Sequence, residues 1–232
     1  MGTPTPPPPV KLIIGLLSAD PALFTQSTVT LQESYGPIDV ESAVFPWNTT
    51  NYYREEMGEN LLRKFVAFEP LFSPETLVRI KLETNALESA LSAGILNKSV
   101  HASTPPYGRR SARTVAQQNQ RGLFTLSVAK RSRRVSKPLS LHPAGTSSPP
   151  IPRRVNLDPG YLDTTKLVLV STKNQAHRIY LAQGIYAEVT LLYHHGEFHP
   201  FLYTYSDYRW PETHEFLRRV RSRYLEQLRT RR

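Results

Sequence analysis

Between residues 156 and 208 the chain gathers side chains whose types could do chemistry: Asp158, Tyr161, Lys173, His177, Arg178, Tyr180 and Glu188, followed by Tyr205, Asp207 and Tyr208. A histidine beside a carboxylate is an acid–base pair, and Lys with Arg is the usual way to hold a phosphate or carboxylate group. Spacing brings some of these together. If Gln183–Gly184 is a two-residue turn, Ala182 faces Ile185 and Thr190 faces His177, which makes His177 and Glu188 neighbours on one side of a hairpin. A one-residue change in the loop instead puts Arg178 and Tyr180 on the Glu188 face, as an ion pair with a stacked ring. His177, Glu188 and Asp158 are therefore candidate catalytic residues, and Lys173, Arg178, Tyr180 and Tyr161 candidate ligand-binding residues. The competing reading is a polar network that only stabilises the hairpin. Asp158-Pro-Gly-Tyr161 reads as a turn, because Pro presets one dihedral and Gly permits a positive one.

Several chemistries are excluded or disfavoured by what is missing. The chain has no Cys, so thiolate nucleophiles, zinc ribbons and redox dithiols drop out. None of the Gly residues is followed by Lys and no Gly-x-Gly pair occurs, so a P-loop, which surrounds phosphates with backbone N–H groups, is absent. His214-Glu215 resembles the start of a zincin helix, but Arg218 stands where the second His must be. No Gly-x-Ser-x-Gly elbow is present. His194, His195 and His199 around Gly196 suit an exposed hairpin tip better than a metal site, so no metal is expected. No cofactor is implied.

The elements that must position these residues follow from periodicity and punctuation. Lys11–Ser18 is an apolar run of strand length. Asp20-Pro21 then starts a helix, a capping carboxylate followed by Pro at the first turn, with Leu23, Phe24, Leu31 and Tyr35 as its buried face and Gly36-Pro37 as its end. Ile38–Phe45 and Phe65–Phe72 read as strands. Ser73-Pro74-Glu75 starts a helix whose Leu77, Ile80, Thr84, Leu87 and Leu91 repeat at helical spacing. Lys166–Thr172, Arg178–Ala182 and Ile185–Tyr193 read as strands, and a last helix over 212–229 buries Phe216, Leu217, Val220, Tyr224 and Leu228. Adjacent strands without intervening helices predict an α+β fold with a largely antiparallel sheet and two or three helices on one face, ferredoxin-like in order.

The net charge of +10 on 232 residues is concentrated in one place. Residues 93–152 hold ten Lys and Arg, seven Pro and no acid, so this stretch carries the whole excess and cannot bury enough apolar surface to offset chain entropy. It is expected to be a disordered basic insert dividing a single domain, 10–92 plus 153–232. Its candidate partners are nucleic acid and acidic surfaces. Residues 1–9 form a Pro-rich leader, also expected to be disordered. The longest apolar run is too short to span a bilayer, and a soluble, cytoplasmic protein is expected.

Around these elements stand KLIIGLLSADPALF, YGPIDVESAVFPWNTTNYYREEMGENLLRKFVAFE, IKLETNALE and VNLDPGYLDTTKLVLVSTKNQAHRIYLAQGIYAEVTL. Together they resemble a bacterial family known as domain of unknown function 4416, whose members are sometimes labelled GTP-binding proteins. The resemblance covers nearly all of 10–92 and 153–230; Asp158-Pro-Gly-Tyr161 and His177-Arg-Ile-Tyr180 are its most specific parts. The chain departs from the family pattern in the long basic insert and in Ser206, where Pro is expected. The resemblance implies a shared fold and carries over no catalytic residues. Two classes of function then fit the residues: a small-ligand-binding or enzymatic domain recognising an anionic group, and a non-catalytic module contacting protein or RNA. GTP binding would need a geometry other than a P-loop.

Overall fold

The computed structural model describes residues 2–47, 53–94 and 153–231, all within one compact unit. The expected insert lies outside the described residues except for Ala93 and Gly94 at its start.

β1 (Val10–Ser18) is the central strand, buried along its whole length. It leads through Asp20, whose side chain accepts from the Ala22 N–H at 2.9 Å, into α1 (Pro21–Tyr35), which ends at Gly36 with φ +91°. β2 (Ile38–Glu41) and the two-residue β3 (Phe45–Pro46) follow. After the short α2 (Arg54–Met57) comes β4 (Leu62–Phe72), and a 3-10 turn over Pro74–Thr76 opens α3 (Leu77–Ser92). The chain resumes in β5 (Val155–Leu162), β6 (Lys166–Ser171), β7 (Ile179–Ala182), β8 (Ile185–His194) and β9 (Glu197–Pro200), and closes with α4 (Pro211–Arg229).

The sheet runs β2-β4-β1-β5-β6-β8-β7, with β3 on β4 and β9 on β8, and the pairings are antiparallel. Its first half, β1-α1-β2-β4-α3-β5 with β1 and β4 central, has the ferredoxin-like order. Alternation along β1 divides the core. Leu12, Ile14 and Leu16 join Phe24, Leu31 and Ile80 on the face that α1 and α3 share. Ile13 points the other way, into the cluster that α4 completes with Phe216, Leu217 and Val220. The buried face of α1 is the expected one, and that of α3 also includes Lys81 and Glu88.

The strand expected over Ile38–Phe45 is interrupted between Glu41 and Phe45, and a second expectation is overturned. Asp158-Pro-Gly-Tyr161 is not a turn but the middle of β5, because the sheet supplies at this point a place where Pro and Gly fit a strand. β5 pairs with β1 from Val155 to Leu162, yet with β6 only through Gly160, Tyr161 and Leu162. Among the described residues Val155–Pro159 thus has no partner strand on its β6 side, and β6 turns away toward β8. Along an antiparallel strand alternate residues direct their backbone groups to opposite edges. Leu157 uses its fork-side groups with side chains, so the Pro159 nitrogen faces the same empty edge, where no hydrogen is required. Gly160 stands at the crotch: an added Cβ would lie 2.4 Å from the Val168 carbonyl oxygen, so β6 can reach β5 only because this residue has no side chain.

Candidate functional site

The divergence of β5 and β6 opens a cavity of about 660 Å³ that is lined from both faces of the sheet. α3 contributes Lys81, Asn85, Glu88 and Ser89 from one side. From the other come Arg63 of β4, Asp158, and the segment Tyr205–Tyr208, which includes a 3-10 turn. Leu17, Trp47 and Tyr53 supply an apolar wall, the two rings 5.5 Å apart. The charged lining is balanced: Arg63, Lys81, Arg153, Lys173 and Arg178 against Glu56, Glu88, Asp158, Glu188 and Asp207.

The bare edge of β5 is satisfied by α3. Lys81 Nζ donates to the Leu157 carbonyl at 3.0 Å, and the Leu157 N–H donates to Glu88 Oε1 at 2.6 Å. These two side chains stand where a strand would otherwise pair. Glu88 also meets Arg153 Nη2 at 2.8 Å. Burial raises the Glu88 carboxyl above its ordinary value, against the pull of Lys81 and Arg153.

Arg63 organises the opposite wall. Its Nη1 donates to Asp158 Oδ2 at 3.1 Å and its Nη2 to the Tyr208 hydroxyl at 3.1 Å. Its Nε lies 3.0 Å from Asp207 Oδ2 but off the line of the N–H, so that contact is ionic rather than a hydrogen bond. Asn156 Nδ2 donates to the same Asp158 oxygen at 2.6 Å, and Arg153 donates to Asn156 Oδ1, which fixes the amide's orientation. The two carboxyls on Arg63 are driven apart. Burial works to raise Asp158, but Arg63, Lys81 and Arg153 outweigh it and hold this carboxyl below its ordinary value. Asp207 is pushed up, by burial first and by Asp158 in addition, with Arg63 offsetting only part.

Around Glu188 stand both His177 and Arg178, which the hairpin spacing assigns to alternative registers, while Tyr180, expected on the same face as Arg178, packs on Tyr186 instead. Glu188 Oε2 is 3.0 Å from His177 Nε2 and accepts from Arg178 Nε at 2.7 Å. The reason is that β7 starts only at Ile179, so His177 and Arg178 precede it and escape strand alternation; the register also shifts between Tyr180 and Ala182. Arg178 spends its other nitrogens on Ser171 Oγ, the Lys173 carbonyl and the Tyr205 hydroxyl. His177 stacks on Tyr203 at 4.2 Å.

Of the residues singled out in the sequence, Asp158, Lys173, Arg178 and Glu188 line the cavity, as do Tyr205, Asp207 and Tyr208. His177 stands behind Glu188, outside the lining. Tyr161 falls on the α3 side of β5, packed near Leu77 and Val168. Tyr180 is largely exposed on β7, its ring 5.3 Å from that of Tyr186. Arg63, Lys81, Glu88 and Asn156 were not anticipated. A signal for two of them exists in α3, where Lys81 and Glu88 each follow a residue of the apolar stripe, seven positions apart on one face.

Among the described residues no helix is long and apolar enough to cross a membrane, and no group of three or more His, Asp or Glu is placed to hold a metal ion. No curated protein and no solved structure matches the chain. The sequence model of the family described as Domain of unknown function (DUF4416) matches residues 8–101 and 144–224. That match takes in β1 through α3 and β5 into α4, so both walls of the forked cavity lie inside it, and the chain belongs to this family.

Proposed function

We propose that the domain binds a small organic anion, a phosphate or a carboxylate, in the cavity between β5 and β6, with Lys81 meeting its charge. The observation that carries this reading is Lys81 itself. The residue is 5% exposed, its ammonium donates to one backbone carbonyl, and no carboxylate lies within ion-pair distance among the described residues. The buried arginines of the wall differ: Arg63 has Asp158 and Asp207, and Arg178 has Glu188. Glu88 and Asp158 reach Lys81 only through space, and a buried charge with no direct counter-ion costs on the order of several kcal/mol. A ligand anion would supply the direct partner. Lys173 adds a second cation to the wall, whereas Arg178, whose donors are engaged by protein acceptors, supports Glu188. The cavity volume suits a metabolite-sized molecule.

Thermal-shift measurements with inorganic phosphate, sugar phosphates, nucleotides including GTP, and short carboxylates test this reading. Ligand at a hundredfold excess over Kd stabilises the fold by about 2.7 kcal/mol, a rise of several degrees. We expect that rise with at least one class, and its loss in Lys81→Met. No rise with any of them, or a rise that survives Lys81→Met, contradicts the reading. Nucleic-acid binding through 93–152 would be a separate activity. It would weaken steeply with salt and vanish on deletion of that segment, whereas anion binding at Lys81 would survive the deletion.

A further inference from the structure

We infer that the ligand of this cavity carries a hydrogen-bond donor, an ammonium or a hydroxyl, beside its anionic group, and that Asp158 selects for it. The inference rests on the reading of Lys81 as the anion's partner and names the ligand class: amino- or hydroxy-substituted small acids and phosphates.

The geometry of Asp158 points to this. Its Oδ2 accepts from both Arg63 and Asn156, while Oδ1 accepts from none of the described residues. The side chain is 30% exposed although the Arg63 side chain beside it is only 3% exposed, so its open part faces the cavity it lines. Arg153 occupies Asn156 Oδ1 and thereby commits the amide to donate toward Asp158. One oxygen is thus pinned by two donors and the other is offered to whatever enters. The carboxyl is held in its ionised form by Arg63, Lys81 and Arg153, which suits it to accept a hydrogen bond rather than to give one. Lys81 acts on it through space, so one small molecule can meet both. A plain anion drawn to Lys81 is repelled by Asp158. A molecule bearing a donor on the same short skeleton turns that repulsion into a charge-assisted hydrogen bond.

The test is calorimetric titration of the full chain with two matched series. One is ethyl phosphate, 2-hydroxyethyl phosphate and O-phosphoethanolamine; the other is propionate, 3-hydroxypropionate and β-alanine. In at least one series we expect the hydroxyl or amino member to bind about tenfold tighter than its parent, one charge-assisted hydrogen bond. Asp158→Asn should abolish that preference, and Lys81→Met should weaken every member. Should Asp158→Asn fail to fold, the comparison within wild type still decides, and Asp158→Glu, which keeps the charge, should retain a preference. Lys81-dependent binding with no preference within either series overturns this inference and leaves the anion site standing, as does a preference that persists in Asp158→Asn. No binding by any member overturns both.

Discussion

Arg63 and Asp158 belong to strands that do not touch. β1 runs between β4 and β5, and the 3.1 Å contact from Nη1 to Oδ2 is made across it, above Gly15. Gly15 is opposite Phe65 on one side and Asp158 on the other. A Cβ there would lie 2.7 Å from Arg63 Nη2 and 2.9 Å from Cζ. The guanidinium can cross the central strand only because that residue has no side chain.

Gly15→Ala should therefore lower stability by about 1–3 kcal/mol, the range for overpacking a buried site, since the guanidinium it displaces is held by Asp158 and Tyr208. In an Arg63→Met background the same substitution should cost less. Urea denaturation of the four proteins in this double-mutant cycle measures the coupling; additive effects would show that the guanidinium does not lie over Gly15.

The two carboxyls on Arg63 should give opposite pH dependences. Asp158 is held low in the folded state, so its contribution is present above the ordinary carboxyl range and fades as pH falls through its folded pKa. The advantage of wild type over Asp158→Asn should shrink below about pH 4. Asp207 is raised, so its contribution is full below the ordinary value and is lost as pH rises through the folded pKa. Relative to Asp207→Asn, wild type should gain stability as pH is lowered from 7 toward 4. Denaturation midpoints across this range check both signs.

Neighbouring substitutions in β5 should differ sharply. Gly160→Ala places a methyl 2.4 Å from a backbone oxygen of β6, which cannot step aside as a side-chain tip can. We expect a loss of about 2 kcal/mol or more, or an insoluble protein. Pro159→Ala should change stability by less than about 1 kcal/mol, because its nitrogen faces the open side of the strand.

Removal of 93–152 should leave the domain folded. The chain leaves α3 and returns to β5 at points already joined, with the Arg154 N–H donating to Ser92 Oγ at 3.0 Å. A short Gly/Ser linker from Ser92 to Arg153 should give a protein whose Tm is within a few degrees of the parent. Trypsin should cut the parent first between Arg109 and Lys137 and leave fragments that stay associated through the sheet. Slow cleavage there, or an insoluble deletion variant, would place the domain boundary elsewhere.

Much of the framework is legible in the sequence because its signals are local. Asp20-Pro21 and Gly36 bracket α1, the three-and-four spacing from Leu77 to Leu91 gives α3, and the stripe from Phe216 to Tyr224 gives α4. β5 is hidden for a physical reason: Pro159 and Gly160 carry turn chemistry, and only the departure of β6 makes them suitable for a strand. The cavity is less legible still. Asp158, Lys173, Arg178 and Glu188 stand out by type, whereas Arg63 precedes the strand read over Phe65–Phe72, and Lys81 and Glu88 look like the polar margin of a helix. Their burial arises from strand order, which pairs residues far apart in the chain. The Glu188 cluster shows the limit from the other side, since strand alternation predicts either His177 or Arg178 beside it and fails where the strand has not yet begun.

Lys81 and Glu88 also determine how far the sheet can zip. Two strands meeting at Gly160 would ordinarily continue to pair toward the start of β5, each added rung favouring the next. The amide and carbonyl of Leu157 are instead already taken by side chains from α3, so the zipper stops where those side chains begin. The empty volume is therefore set by a competition between a helix and a strand for the same backbone groups. Its width can change by single residues on α3 without any loop being altered.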